Sequence, residues 1–417
     1  MTPEAPNSSA WAERRPVRLA YLVSHPIQYQ APLLRRIARE PDIDLTVFFG
    51  SDFSVRGYKD EGFGVEVAWD IPLTEGYRHR FLKPLRDNGT VSVTSPISRG
   101  IYSSLVGPDG LAGFNALWVH GYASVNALQG IVAANALHIP VLLRAESWLR
   151  DRERSPLKLA AKDFCFKILD RMISATLPIG TLNAEYWLHY FGEAMPQFLM
   201  PYAVDNEYFA SKAAEGTPHK AELRVSLQLD AGRPVILFAS KLQKRKNCMD
   251  LIEAYAQLLK SNPTLAPYLV IAGDGEERTR LETFCRDAGL TDVRFVGFQN
   301  QSVLPRYFQL ADVFVLPSRH EPWGLIVNEA MAAGCACIVS EDVGAHTDLI
   351  TDSIEGFVFP TGNIPALTTA LESIFATPNT AATMGQRAAE RIHSWSFEQD
   401  VIGLRAALAH TTGKLRA

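Results

Sequence analysis

Residues 312–340, DVFVLPSRHEPWGLIVNEAMAAGCACIVS, read as strand, loop, helix and strand in immediate succession. Asp312–Pro317 is a short apolar run, Ser318–Trp323 is polar, Leu325–Ala333 consists of good helix formers, and Cys335–Ser340 is apolar again. Strands joined through helices lie parallel and are covered on both faces, so this stretch predicts a doubly wound α/β sheet.

The same alternation extends in both directions. Toward the amino end, Pro234–Ser240, Tyr268–Gly273 and Val293–Gly297 read as strands, with Met249–Lys260 and Glu277–Ala288 as helices. An earlier series contains Val17–Val23, Asp44–Phe49, Ala116–His120, Pro140–Arg144 and Ala175–Ile179, with a helix-period stretch at Tyr29–Ile37. Between the two series, residues 211–221 are polar and hold Gly and Pro, as a linker does. A chain of 417 residues exceeds one hydrophobic core. The reading is therefore two facing Rossmann-like domains with a cleft between them: residues 17–210, and residues 222–392 after the linker. A carboxy-terminal helix in 393–417 packs back on the first domain, and 1–16 form a disordered tail. In open parallel sheets ligands bind beyond the carboxyl ends of the strands, which places the site in the cleft.

The bulk numbers exclude several classes. A composition of 47% hydrophobic and 21% charged residues with a net charge of -4 gives no support to a nucleic-acid partner. The five cysteines (Cys165, Cys248, Cys285, Cys335, Cys337) are odd in number and lack CxxC spacing, which argues against a disulfide framework or a zinc site. Cys335 and Cys337 read as small apolar filler in a buried strand. No apolar run reaches the roughly 18 residues of a membrane span, and the first 16 residues have no signal-peptide core. The expected location is cytoplasmic.

The chemistry gathers in the second series. Gly324 lets backbone approach a ligand closely, and the helix behind it offers unpaired N–H groups and a partial positive charge, which suit a diphosphate. Glu321 precedes this turn and can reach a sugar's hydroxyls, whereas Glu329, more than one turn into the helix, can face a ribose diol. Lys241 follows a strand and Lys246 opens the next helix, so two ammonium groups offset diphosphate charge. Lys244 and Arg245 read as a solvated basic turn. Residues 272–275 (AGDG) form another glycine-bearing strand-to-helix turn.

From Phe238 to Gly356 the chain resembles the donor domain of family 4 glycosyltransferases, retaining enzymes of the GT-B fold. The likeness rests on Lys241-x4-Lys246, Gly273-Asp-Gly275, Gly297-Phe298, the Glu321-x7-Glu329 motif, Glu329–Gly334 (EAMAAG) and Val343–Ala345 (VGA). It implies that Glu321 contacts the donor sugar and Glu329 the ribose. It also implies that Gly324 and Leu325 give backbone N–H groups to the phosphates and that Phe298 and Leu304 lie near the base. Lys241 stands where many members have arginine, keeping the charge but losing the bidentate fork. The implied co-substrate is a nucleoside-diphosphate sugar of UDP or GDP type, with neither metal nor cofactor. The implied product is a saccharide or lipid-linked glycoside of the cell surface. Asp42-Ile-Asp44 spells a metal-binding DxD, but at the start of a strand rather than its carboxyl end.

The first series should hold the acceptor. Ser24–Pro32 (SHPIQYQAP) stands where family members often have a glycine-rich loop and resembles a subgroup found among bacterial surface-polysaccharide enzymes; His25, Gln28 and Tyr29 are candidate pocket residues. His120 ends a strand where family members place a histidine beside the donor sugar. Glu146 and Asn183 fall after the next two strands, and Trp69 lies in an aromatic stretch that can equally be core. Basic residues Arg150, Arg152, Arg154, Lys158, Lys162, Lys167 and Arg171 alternate with apolar ones, which permits peripheral contact with the inner membrane or, equally, a solvated helix face.

A dehydrogenase would also be doubly wound, yet no GxGxxG follows either domain's first strand. A phosphorylase would need a pyridoxal-bearing lysine in its own context. A silent nucleotide-sugar-binding scaffold, or transfer to a small-molecule acceptor, stays open at this level.

Overall fold

The computed structural model describes residues 15–60, 62–64, 66–150, 155–215 and 220–414. The expected tail thus lies outside the described residues except for its end, as do Arg152, Arg154 and the middle of the expected linker.

Six strands form the first sheet: β1 (Val17–Val23), β2 (Ile43–Phe49), β3 (Arg78–Phe81), β4 (Ala116–His120), β5 (Val141–Arg144) and β6 (Ala175–Thr176). Their order is β6-β5-β4-β1-β2-β3, and every neighbouring pair is parallel. The second sheet comprises β7 (Val235–Ala239), β8 (Tyr268–Ala272), β9 (Val293–Gly297), β10 (Val313–Leu316), β11 (Ala336–Ser340) and β12 (Gly356–Phe359). It is wound identically, β9-β8-β7-β10-β11-β12, and is also all parallel. In both sheets the order reverses beside the first strand, and there the carboxyl ends open a crevice. Strands β7, β8, β10 and β11 are buried throughout, as expected where helices cover both faces. Cys335 and Cys337 are 2% and 0% exposed, and burial pushes both thiols up.

Two strands had no readable signal. β3 (RHRF) is mostly exposed, an edge strand without the apolar run that marks an interior one. β12 (GFVF) is short and lies at the opposite edge of its sheet.

The helices that position the site are α1 (Gln30–Ile37), α2 (Pro156–Leu169), α3 (Thr181–Phe191), α4 (Asn206–Glu215), α5 (Leu325–Ala332) and α6 (Phe397–Thr412). The polar stretch 211–221 is not simply a linker. Residues 211–215 complete α4, whose Phe209 packs in the core of the second domain, and 220–221 begin another helix. One buried side chain per turn suffices to dock such a helix, and its polar face hides that from the sequence.

Helix α6 returns to the first sheet. Its Val401, Leu404, Ala407 and Leu408 share one core with Val17, Leu19 and Tyr21 of β1. Ser396 and Gln399 form a capping box at its start. On this face Arg144 of β5 pairs with Asp400 at 3.1 Å, both side chains fully buried. The same guanidinium donates to the Met200 and Pro201 carbonyls at 3.0 and 2.7 Å.

Candidate active site

The two switch points face each other across a cavity of about 370 Å³ that both domains line. Of the residues singled out from sequence, Gln28, Tyr29, Trp69, Glu146, Lys241, Lys246, Gly273, Phe298, Leu304, Glu321, Gly324, Leu325 and Glu329 line it together.

The diphosphate end is built by backbone. Gly324 caps α5 at φ +95°, in the left-handed region that glycine alone adopts without strain. A Cβ there would sit 3.1 Å from Val343 Cγ1. Trp323 and Asn328 hold the helix start: the indole donates to Asn328 Oδ1 at 2.9 Å, and Asn328 Nδ2 donates to the Tyr202 carbonyl at 2.9 Å. Gly273 has φ +149°, and a Cβ there would lie 1.9 Å from the Ser240 carbonyl oxygen, so backbone from β7 and β8 must touch at this point.

Each cation of the Lys-x4-Lys pair meets a carboxylate. Lys246 Nζ hydrogen-bonds Glu321 Oε2, and Arg245 Nη1 lies 3.7 Å from the same oxygen. Burial, which opposes charge, together with Arg245 and Lys241, outweighs Glu321 and holds the Lys246 ammonium below its ordinary value. Arg245 is exposed, as its basic surroundings predict, and it also borders the cleft, donating to the His320 carbonyl at 3.1 Å. Lys241 Nζ donates to both oxygens of Asp60 at 2.7 and 2.8 Å and lies 4.7 Å from the centre of the Phe63 ring.

Asp60 comes from the first domain and carried no sequence signal. It lies in an excursion after β2, where Tyr58–Lys59 pairs antiparallel with Glu66–Val67. The excursion reaches the second domain at several points. Phe63 and Trp69 meet Phe298 edge-on at 4.7 and 6.4 Å, Asn300 Nδ2 donates to the Ala68 carbonyl at 2.8 Å, and Ser302 bonds Asp70. Trp69 thus joins the Phe298 end of the cavity, away from the end where an acceptor was expected. Sequence periodicity had no means of finding Asp60, because an irregular loop has no period.

Glu329 is 1% exposed, and its Oε2 has no hydrogen-bond partner among the described residues. Burial lifts its carboxyl to about 8; the Tyr29 hydroxyl bonded to it lowers that only in part. Tyr29 is accordingly tied to the donor-side carboxylate across the domain boundary.

In the first domain His120 Nε2 lies 3.5 Å from Glu146 Oε1, and the Tyr202 hydroxyl donates to the same oxygen at 2.5 Å. Burial pushes the Glu146 carboxyl up, but His120, Tyr202 and Arg144 outweigh it and hold it below the usual range. Unlike Glu146, neither His120, the candidate beside the donor sugar, nor His25 is among the residues that line the cavity. The His25 ring stacks on Phe53 at 4.6 Å, Nδ1 is 2.9 Å from Ser24 Oγ, and burial followed by the His120 charge lowers it to about 4. Asn183 lies outside the cavity lining as well. It is 3% exposed, accepts from Ile179 N and Trp187 Nε1 at 3.1 and 2.9 Å, and donates to the Ser147 carbonyl. The DxD carboxylates sit at the far end of the sheet, Asp42 on Arg405 at 2.8 Å and Asp44 on Arg78 at 3.1 Å.

Two doubly wound domains around a cleft that offers a helix start, paired lysines and two motif carboxylates define the GT-B fold class. Residues 219–391 match the family described as glycosyl transferases group 1. The chain is 33% identical over 186 residues to the alpha-D-kanosaminyltransferase of Streptomyces kanamyceticus, a match covering 44% of this chain and about half (47%) of that relative's length. It is 26% identical over 300 residues to a D-inositol 3-phosphate glycosyltransferase of Nocardiopsis dassonvillei, covering 68% of each. Among solved structures, sucrose-phosphate synthase from Thermosynechococcus elongatus superposes with a TM-score of 0.66 at 20% identity, over 93% of this chain and 97% of that one. The Anabaena HepE protein in complex with UDP and glucose gives 0.66 at 16% identity, over 96% and 100%.

Proposed function

We propose that this protein is a retaining, metal-independent glycosyltransferase that moves a sugar from a nucleoside-diphosphate sugar to a saccharide or lipid-linked acceptor in the building of a cell-surface glycoconjugate. The observation that carries the reading is the meeting of Lys241, Lys246 and the Gly324-started helix at one point of the interdomain cleft, with Glu321 beside them. HepE, a structural neighbour over nearly its whole length, is described with UDP and glucose.

The base end lies at Phe298 and Leu304, the ribose at Glu329, the diphosphate at Gly273, Lys241, Lys246 and the N–H groups of α5, and the transferred sugar at Glu321. The acceptor oxygen bonds to the anomeric carbon as the bond from that carbon to the phosphate oxygen breaks. Its proton passes to the departing phosphate oxygen on the same face, so configuration is retained. The lysines and the helix start stabilise charge that grows on the leaving group, at fixed positions in the interdomain cleft. Both lysines must exchange a protein carboxylate, Asp60 or Glu321, for phosphate oxygens as the donor enters. Glu321, released from Lys246, then accepts from sugar hydroxyls.

Peripheral membrane contact belongs to the same proposal. Leu157, Phe164 and Ile168 share one face of α2 at helical spacing and are 81%, 66% and 48% exposed, opposite the buried Phe166 and Leu169. Lys158, Lys167 and Arg171 flank that apolar face, as on helices that lie in an anionic interface. Lys162 turns inward instead, with Nζ 4.6 and 4.7 Å from the Tyr186 and Tyr190 rings. No helix among the described residues is long and apolar enough to cross a membrane.

The test is nucleotide release and product mass from a panel of UDP- and GDP-sugars, followed by determination of the anomeric configuration. Release with an α-product from an α-donor is expected. An inverted product would refute retention, and the absence of both release and nucleotide binding would refute the reading as a whole.

A further inference from the structure

A second cavity, of about 280 Å³, opens between the domains and is lined by Trp148, Arg150 and Glu185 of the first and Glu341, Asp342 and His346 of the second. Its place follows from the strand order. Along the carboxyl ends β9-β8-β7-β10-β11 stand Phe298, Gly273, the two lysines, Glu321, and then Glu341 with Asp342. A donor laid along this edge with its base at Phe298 brings its sugar to Glu321. The next position is this cavity.

The two spaces adjoin through backbone. Glu321 N donates to the Asp342 carbonyl at 3.1 Å, and Gly344 N donates to the Glu321 carbonyl at 2.9 Å. In the first domain, Glu146 lines the donor cavity and Trp148, two residues on, lines the second. Meanwhile three of the six side chains first assigned to the acceptor are engaged elsewhere: Tyr29 with Glu329, Trp69 with Phe298, Asn183 with backbone and Trp187.

We infer that this second cavity is the acceptor subsite, and that it takes a hydroxyl-rich glycosyl ring, neutral or amine-bearing, in preference to one bearing phosphate. The inference rests on the glycosyltransferase reading above. Trp148 is 6% exposed, and its indole Nε1 finds no acceptor among the described residues, a buried donor that a ligand oxygen would satisfy. Among the described residues that line it, Glu185, Glu341 and Asp342 bring three carboxylates against the one guanidinium of Arg150. Among the described residues, the Glu341 carboxylate accepts only a long 3.4 Å bond from Thr361 N. Carboxylates accept from hydroxyl and ammonium groups and repel a phosphate dianion. His346 has its ring nitrogens occupied, Nδ1 2.9 Å from the Val343 carbonyl and Nε2 3.2 Å from Thr347 Oγ1.

The full chain, given UDP-glucose, UDP-N-acetylglucosamine or GDP-mannose, is offered methyl α-glucopyranoside, glucosamine or glucose 6-phosphate, and transfer is read by product mass. Transfer to the first two at about tenfold or greater advantage over the phosphate is expected. The double variant Glu185→Gln, Asp342→Asn should raise KM for those acceptors about tenfold, while its Kd for UDP, measured by calorimetry, reports an intact donor site. Preference for glucose 6-phosphate, an unchanged acceptor KM in the double variant, or donor hydrolysis without transfer to any of the three would each overturn the inference. If no nucleotide is bound or released, the glycosyltransferase reading itself has failed, and the subsite falls with it.

Discussion

Lys246 and Glu329 show how far a single side chain's chemistry depends on its neighbours. Lys246 pairs with Glu321 and is placed to neutralise the donor's diphosphate. Lys246→Ala removes that charge from the transition state and should lower kcat by about 10²–10³-fold, as loss of one preorganised stabilising group does. Nucleotide release at saturating donor measures it, and a turnover within a few-fold of the parent would contradict the role. Glu329 makes a pH prediction. Its carboxyl, raised to about 8 by burial, is largely protonated at neutral pH in the free protein. A ribose diol donating to the carboxylate favours the ionised form and lowers that value, so nucleotide binding should release a proton below pH 8. Affinity then rises with pH up to about 8 and levels off above it. Calorimetry of UDP binding at pH 7 in buffers of different ionisation enthalpy tests this. A buffer-independent heat would show that Glu329 does not change state.

At the scale of elements, the turn into α5 depends on backbone that a side chain would spoil. Gly324→Ala forces φ +95° on an L-residue and presses a methyl group against Val343. The strain, about 1–2 kcal/mol, should be relieved by rotating the helix start away from the phosphates, weakening UDP binding about tenfold. An unchanged Kd would mean that the helix start does not carry the diphosphate. Helix α2 gives a second prediction. Phe164→Glu with Ile168→Glu should abolish co-sedimentation with phosphatidylglycerol vesicles and leave phosphatidylcholine vesicles unbound as before, because the apolar face and its flanking lysines act together. Equal sedimentation of parent and variant would make α2 an ordinary solvated helix.

For the whole molecule, the decisive feature is that chain ends and domains cross. Helix α6 follows the second domain in sequence but completes the first domain's core, fastened by Arg144 and Asp400. Burial lifts the Asp400 carboxyl to about 8 against the pull of Arg144. Asp400→Ala leaves the buried guanidinium only the Met200 and Pro201 carbonyls and should cost about 1–3 kcal/mol, readable as an earlier urea transition of the first domain. A loss below 1 kcal/mol would mean that the Met200 and Pro201 carbonyls alone satisfy Arg144. The crossing also explains why the cleft is made of both domains. The excursion after β2 brings Asp60 to Lys241, while Tyr29 of the first domain bonds Glu329 of the second.

The alternation of short apolar runs with helix-period stretches was enough, read alone, to establish two doubly wound domains, because strand and helix periods are local properties of the chain. Spacing within 238–356 was likewise enough to pick out Lys241, Lys246, Gly324, Glu321 and Glu329, since these sit at strand ends and one helix start whose positions follow from the periods. What the sequence could not determine were the partners: Asp60 on Lys241, Arg245 in the wall, Asn183 out of it, and a second cavity beyond Glu321. Those depend on contacts between residues far apart in the chain, and distance along a sequence holds no information about distance across a cleft. Only the tertiary structure, by closing one sheet's carboxyl ends on the other's, decided them.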